Sequence, residues 1–123
     1  EPYLSFLSKR DSYVMLVGDP DAWLLSISFL DERTKLWRMK FIIPDKPGSI
    51  FEISNVMGEE SINILAGYTQ VLVYYQKMLY EIVADVSRCS AAGGDIGSFV
   101  EERISHPGKE DYSIISIEEV SFD

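Results

Sequence analysis

Residues 38–65, RMKFIIPDKPGSIFEISNVMGEESINIL, decide the fold of this 123-residue chain. Apolar and basic side chains alternate over residues 38–43, which is the pattern of a half-buried strand. Ser49 and Glu52 have the S-x-x-E spacing of a capping box, so a helix is predicted to begin at Ser49. Its apolar residues recur every three or four positions and predict one helix face packed on a sheet. These apolar residues are Ile50, Ile53, Val56 and Met57.

The strand and the helix are joined by a tight turn at residues 45–48, DKPG. Pro47 restricts its backbone to one φ value and Gly48 is free to take unusual angles, so the chain can reverse sharply here. Gly58 fits a C-terminal cap of the helix. A second strand is predicted to begin at Ile62, after a short loop.

The periodicity of the following residues extends this unit to the order β-α-β-β-α-β. Two βαβ halves of this kind build a four-stranded antiparallel sheet with both helices on one face and the first and third strands in the middle. The predicted fold class is therefore α+β, a ferredoxin-like βαββαβ sandwich. Gly67 predicts a bulge or a close approach to the backbone in the second strand. The later strands are predicted at residues 62–75, 78–86 and 112–122, and the second helix is predicted at residues 91–105.

Residues 1–35 are predicted to form an N-terminal arm and a β-hairpin extension, followed by the main domain at residues 36–123. Apolar side chains beside two basic ones in residues 1–10 favour a short helical turn or a docking arm. Alternation over residues 13–17 and 23–29 predicts the two strands of the hairpin. Because the first strand of the main sheet should already have two neighbours, the hairpin must extend an outer edge, cover the open face or reach a partner chain.

The composition argues against several classes of function. The chain has 20 acidic and 11 basic side chains, a net charge of −9, which disfavours nucleic acids and anionic membranes as partners. No apolar run is long enough to span a bilayer. No secretory leader is recognisable, and the missing initiator Met indicates a processed chain or a piece of a longer one. The single Cys89 fits a packing role in a reducing compartment, so a cytoplasmic location is expected.

Catalysis, metal binding and cofactor binding lack the residues that they need. The first loop has no Cys-x-x-Cys pair for a metal, and it has only Lys46 where acylphosphatase-like phosphate binding needs an arginine. His106 is the only histidine and stands before Pro107 and Gly108, where a helix-terminus cation or a surface residue is expected. We therefore expect no enzyme activity, no metal and no cofactor.

The turn before the first helix has suitable chemistry for a small zwitterion. A helix N-terminus exposes unpaired backbone N–H groups, here around Gly48, Ser49 and Ile50, and these groups suit a carboxylate. Asp45 lies beside them in the sequence and can pair with an ammonium group. Asn63, at the start of the next strand, carries both a donor and an acceptor. One end for a carboxylate and one for an amine predict a free amino acid as the ligand.

This stretch resembles the opening of an ACT domain, a small ligand-sensing module found beside many amino-acid biosynthetic enzymes. The resemblance covers about residues 36–122 and rests on the loop at residues 45–48, the apolar helix and the strand start at residues 62–64. Ser61 stands where the family commonly has glycine, which bears on turn geometry. Ile43 stands where the serine-sensing modules of phosphoglycerate dehydrogenase have histidine, which argues against serine as the ligand.

The resemblance implies a regulatory module that forms a homodimer or a higher homo-oligomer. In this family the effector usually sits between two modules, where the loop before the first helix faces the second strand of the neighbour. The edge strand at residues 62–75 is the candidate for pairing with a second copy. The predicted ligand-binding residues are Asp45, Pro47, Gly48, Ser49, Ile50 and Asn63.

An alternative is an assembly module with no ligand of its own. In that case Pro47 and Gly48 form only a tight turn, Asp45 is a helix-cap carboxylate and Asn63 is a turn residue whose polar groups are satisfied within the chain.

Overall fold

The structure is a computed structural model that describes residues 3–9, 12–19, 24–31, 33–104 and 111–120. The described residues form two compact units, one within residues 1–34 and one across residues 35–120. The division lies next to residues 35 and 36, where the sequence predicts that the main domain begins.

The first unit is a three-stranded antiparallel sheet. Its strands are β1 (Tyr3–Lys9), β2 (Ser12–Asp19) and β3 (Leu24–Asp31), in the spatial order β1-β2-β3. The helical turn predicted as one alternative for residues 1–10 is wrong, because residues 3–9 form a strand that pairs along its whole length with β2. Lys9 pairs with Ser12, and strands separated by only two residues are direct antiparallel neighbours. The hairpin predicted from the sequence is thus two strands of a three-stranded meander.

The segment between the two predicted hairpin strands, residues 13–17 and 23–29, is only partly described. Gly18 and Asp19 belong to β2, whereas Pro20, Asp21 and Trp23 lie outside the described residues. The helix stop predicted at residues 106–108 also lies outside them.

The second unit contains four strands and two helices, which confirms the predicted α+β class. In chain order these are β4 (Leu36–Pro44), α1 (Ser49–Glu59), β5 (Asn63–Val73), β6 (Lys77–Asp85), α2 (Ile96–Ile104) and β7 (Ser113–Glu119). The sheet is antiparallel in the order β5-β6-β4-β7, so β4 and β6 are the inner strands and β5 and β7 the outer ones. The turn between β5 and β6 is at residues 74–76, slightly earlier than the gap between the predicted strands at residues 62–75 and 78–86.

Both helices cover the same face of this sheet. One buried cluster joins alternate residues of the inner strands to one face of each helix: Met39, Phe41, Ile43, Tyr80, Ile82, Ile53, Met57, Ile96 and Val100. The other face of β4 carries Arg38 and Lys40, whose side-chain nitrogens lie 3.7 and 3.4 Å from carboxylate oxygens of Glu81 on β6. The alternation at residues 38–43 therefore separates a core side from a charged side.

Helix α1 begins at Ser49 as predicted, but the capping box is wrong. The N-cap is Gly48, which has φ 91°, and no side chain caps the helix. Ser49 is instead the first helical residue, and it shares the buried face with Ile53 and Met57 at steps of four. Ile50 therefore lies beside the buried stripe and is 39% exposed, contrary to its predicted place in the core face.

The C-terminus of α1 also differs from the prediction, because Gly58 remains inside the helix and does not cap it. The cap is a Schellman motif in which Ser61 N–H donates to the Gly58 carbonyl (3.2 Å) and Ile62 N–H to the Met57 carbonyl (2.9 Å). Ser61 has φ 59°, the left-handed conformation that glycine usually supplies at this position. Met57 and Ile62 are both buried in the core, as this motif requires.

Two substitutions, Gly58→Ala and Ser61→Gly, should therefore change the free energy of unfolding in the direction opposite to the one expected if Gly58 were the cap. Gly58→Ala should raise the free energy of unfolding by about 0.5–1 kcal/mol, because alanine favours a helix interior, and a Cβ added there meets nothing within 4 Å. Ser61→Gly should raise it by up to about 1 kcal/mol by removing the left-handed penalty. Urea unfolding measures both, and Gly48→Ala, at φ 91°, is the control that should destabilise. A destabilising Gly58→Ala would contradict this assignment of the cap.

Helix α2 begins later than the predicted residue 91, at Ile96. Asp95 caps it, since Oδ1 accepts a hydrogen bond from Ser98 N–H (3.1 Å) and Oδ2 accepts one from the Ser98 hydroxyl (2.7 Å). These bonds lower the pKa of Asp95 below its ordinary value of 3.8. The glycines before Asp95 thus lie in the loop, outside the helix.

The close approach predicted at Gly67 is confirmed. A Cβ at this position would lie 3.3 Å from Cε1 of Tyr80, whose ring crosses over β5 from the neighbouring strand. The pairing of β5 with β6 also shifts register between Ile64 and Ala66 and between Val71 and Val73, so the outer strand is irregular at two places.

Candidate functional site

The predicted ligand loop lies at the end of the sheet where β4 ends, α1 begins and β5 turns into β6. Two hydrogen bonds join the loop to the β5–β6 turn. Asp45 N–H donates to the Gln76 carbonyl (3.2 Å), and Tyr75 N–H donates to Asp45 Oδ2 (2.9 Å). Because these residues are 30 positions apart in the sequence, only the folded sheet brings them together.

Asp45 therefore has a structural contact that the sequence did not predict. Its side chain is half-buried, and one carboxylate oxygen is used by the Tyr75 amide. Among the described residues, the other oxygen has no hydrogen-bond partner, so it is available to an ammonium group.

The first turn of α1 offers its backbone to the same end of the sheet. Pro47 and Gly48 are exposed, the Ser49 amide donates to the Lys46 carbonyl (3.3 Å), and the left-handed Gly48 directs the chain into the helix. The Ser49 hydroxyl is buried and has no hydrogen-bond partner within the described part of the chain. Ser49 is 1% exposed and its amide is already paired, so it has no group free for a ligand in one chain, while Ile50 contributes a partly exposed side chain.

Asn63 lies at the opposite end of the sheet from Asp45. It pairs with Asp85, which in turn pairs with Leu36 at the start of β4, whereas Asp45 follows the last residue of β4. Since β5 has 11 residues, its ends lie roughly 30 Å apart at about 3.3 Å per residue. Within one chain the structure therefore brings together five of the six predicted residues and leaves Asn63 far away.

The exposed apolar residues beside this loop were not predicted as part of a site. We call the end of β5 and its turn the apolar tip, which comprises Val71, Leu72, Val73, Tyr74 and Tyr75. The rings of Tyr74 and Tyr75 have centroids 4.2 Å apart, although both are largely exposed. The contact with Tyr75 raises the pKa of Tyr74, and the nearby Asp45 carboxylate adds to this effect. The sequence feature that could have indicated this surface is the run of uncharged residues 71–75.

The turn that carries the two tyrosines has an unusual backbone. Gln76 N–H donates to the Val73 carbonyl (2.8 Å), which closes a four-residue turn that we call the tyrosine turn, residues 73–76. Tyr75 occupies its third position with φ 60°. Glycine or asparagine is the usual residue for such a conformation, because a larger side chain pays a steric penalty there.

Comparisons with known proteins provide little further information. No protein-family model and no curated protein matches this chain. Among solved structures, an unknown protein from Galdieria sulphuraria is similar over 72% of this chain and 46% of its own length, with 16% sequence identity and a TM-score of 0.48. None of the described helices has both the length and the apolar character needed to cross a membrane. No cluster of three metal-ligating residues occurs in the part of the chain that the structure describes.

Proposed function

We propose that residues 35–120 form a ferredoxin-like module of the ACT type that binds a free amino acid between two copies of the chain. The module would act as a regulatory sensor without enzyme activity of its own. The strand order β5-β6-β4-β7, with both helices on one face, supports the ferredoxin-like arrangement. The buried free thiol of Cys89 suits a reducing compartment such as the cytoplasm.

The separation of Asp45 and Asn63 is the observation that carries the intersubunit site. In a symmetric dimer whose two β5 strands pair antiparallel, the start of one strand lies beside the end of the other. Asn63 of the partner subunit then comes close to Val73 and the tyrosine turn, next to Asp45. A site that includes both residues is therefore incomplete in one chain and complete in a dimer.

The free edge of β5 supports this assembly. In the part of the chain that the structure describes, β5 pairs with β6 alone, and its sequence NILAGYTQVLV has neither a charge nor a proline. Exposed edge strands usually carry such residues because they prevent pairing with other chains. In a chain with a net charge of −9, this uncharged strand is also a place where two copies approach without direct repulsion.

The two ends of the loop define the chemistry of the ligand. The Ser49 amide donates to the Lys46 carbonyl, but the next amide of α1, that of Ile50, has no acceptor within the helix and lies at its positive end, so it suits a carboxylate. The second carboxylate oxygen of Asp45 suits an ammonium group. A small zwitterion satisfies both groups, whereas an anion without an amine leaves the second oxygen of Asp45 without a partner.

The alternative is an assembly module without a ligand, and one observation favours it. Asp45 already accepts a hydrogen bond from the Tyr75 amide, and this contact alone explains a carboxylate at this position. Under this alternative the chain dimerises through β5 and responds to no amino acid.

A thermal-shift screen with each of the twenty amino acids separates the two functions. A ligand at 100 times its Kd should stabilise the native state by about 2.7 kcal/mol, since it binds the folded protein alone. Asp45→Asn keeps an oxygen for the Tyr75 amide but loses the charge, so it should weaken binding while the fold is retained. Asn63→Ala should also weaken binding. Glu102→Gln, which removes an exposed carboxylate from α2, is the matched control and should leave the response unchanged.

The absence of a shift with every amino acid would reject the sensor and leave the assembly module. Binding that survives Asp45→Asn and Asn63→Ala would place the ligand elsewhere on the chain.

A further inference from the structure

We propose that the Asp45 carboxylate is shared between the ligand and the tyrosine turn, so that ligand binding releases the turn and moves the apolar tip. This inference rests on the proposed ligand site and adds how that site communicates with the surface. The tip would then be the part of the module that reports whether a ligand is bound.

The tyrosine turn depends on contacts from outside itself. Tyr75 has φ 60° without being glycine or asparagine, so its backbone is held in a conformation that tyrosine rarely adopts. The Asp45 loop supplies two of the hydrogen bonds that hold it, one to the Tyr75 amide and one to the Gln76 carbonyl. Such conformations persist only where the surrounding structure enforces them.

The same carboxylate is the group that an ammonium ligand would use. An ammonium group at the second oxygen of Asp45 forms a charge-assisted hydrogen bond, which is stronger than the bond from the neutral Tyr75 amide. The ligand therefore draws the carboxylate away from the position in which it accepts the Tyr75 amide. As the carboxylate turns toward the ligand, the bond to Tyr75 weakens, and the turn can leave its left-handed conformation.

The consequence is confined to the apolar tip, at the end of the β5 edge that we propose to pair with a second copy. The rings of Tyr74 and Tyr75 contact each other at a tilt of 45° and are exposed in one chain, and Val73 precedes them at the irregular end of β5. A change in the tyrosine turn therefore repositions both rings without disturbing the buried cluster. Linkage is reciprocal, so a change that stabilises the present form of the turn should weaken ligand binding.

Hydrogen exchange of the Tyr75 amide in the full chain tests the contact itself. Asp45→Ala should speed exchange of this amide by at least about tenfold, because a hydrogen bond to a charged group is lost. Asp45→Asn, which keeps an acceptor oxygen and guards against a misfolded alanine variant, should speed it less. Lys46→Ala, in the same loop, is the control and should leave the rate unchanged. An unchanged rate in Asp45→Ala overturns the proposal.

The ligand arm uses the amino acid that gives the largest thermal shift in the screen described above. At saturation it should speed Tyr75 exchange toward the rate of Asp45→Ala. It should also bind several-fold more weakly to Tyr75→Gly, because glycine holds the turn in its present left-handed form without strain and the turn is then harder to release. A ligand that binds but leaves or slows Tyr75 exchange overturns the coupling alone. Failure of all amino acids to bind overturns the ligand site and the coupling with it.

Discussion

Replacement of Val71 by lysine is expected to separate the two copies of the chain and to raise the dimer Kd by about 100-fold or more. Val71 is 50% exposed on the uncharged edge of β5, the strand that we propose to pair with its counterpart. Two lysines brought to one interface repel each other, and each must also lose water there. Sedimentation velocity over a range of protein concentrations measures the change.

Ile115→Lys is the matched control. Ile115 is 54% exposed and lies on β7, the opposite outer strand of the same sheet, so the variant makes the same change in charge at a similar exposure. Dissociation by Val71→Lys and not by Ile115→Lys would assign the interface to β5. Equal effects of the two lysines, or none from either, would show that the copies do not meet along this edge.

The second large effect is expected from Phe41→Ala, which should lower the free energy of unfolding by about 3–5 kcal/mol. Phe41 is fully buried on the inner strand β4, where it packs in the cluster that joins the sheet to both helices. The truncation loses apolar burial and leaves a cavity that the neighbouring strands cannot close. Because domains are stable by only about 5–15 kcal/mol, the variant should unfold at far lower urea concentrations.

Phe51→Ala provides the control with the same chemical change. Phe51 is 67% exposed on α1, so its truncation should alter stability by less than about 0.5 kcal/mol. Both variants are compared at one protein concentration, since the dimerisation that we propose would make stability depend on concentration. A Phe41→Ala cost as small as that of Phe51→Ala would mean that the core lies elsewhere.

Much of the second unit followed from local patterns. Alternation at residues 38–43 predicted β4, and the apolar repeat after Ser49 predicted α1, because each pattern reflects a face that must be buried. The errors concern where the two helices begin and end. The capping box was assigned to Ser49 although Gly48 caps the helix, and Gly58 was assigned as the end although Ser61 provides the left-handed residue. These errors arose because side-chain type is a weak guide to which residue leaves the helical conformation.

The sequence by itself determined the kind and order of the elements around Asp45, because periodicity and turn chemistry act over a few neighbouring residues. Only the tertiary structure decided which distant groups meet. Strand order and register placed the Tyr75 amide 2.9 Å from the Asp45 carboxylate, and they placed Asn63 at the far end of β5. Register is set by packing of the whole sheet, so no local pattern shows that the Asp45 carboxylate meets a turn 30 residues away or that Asn63 lies at the opposite end of β5.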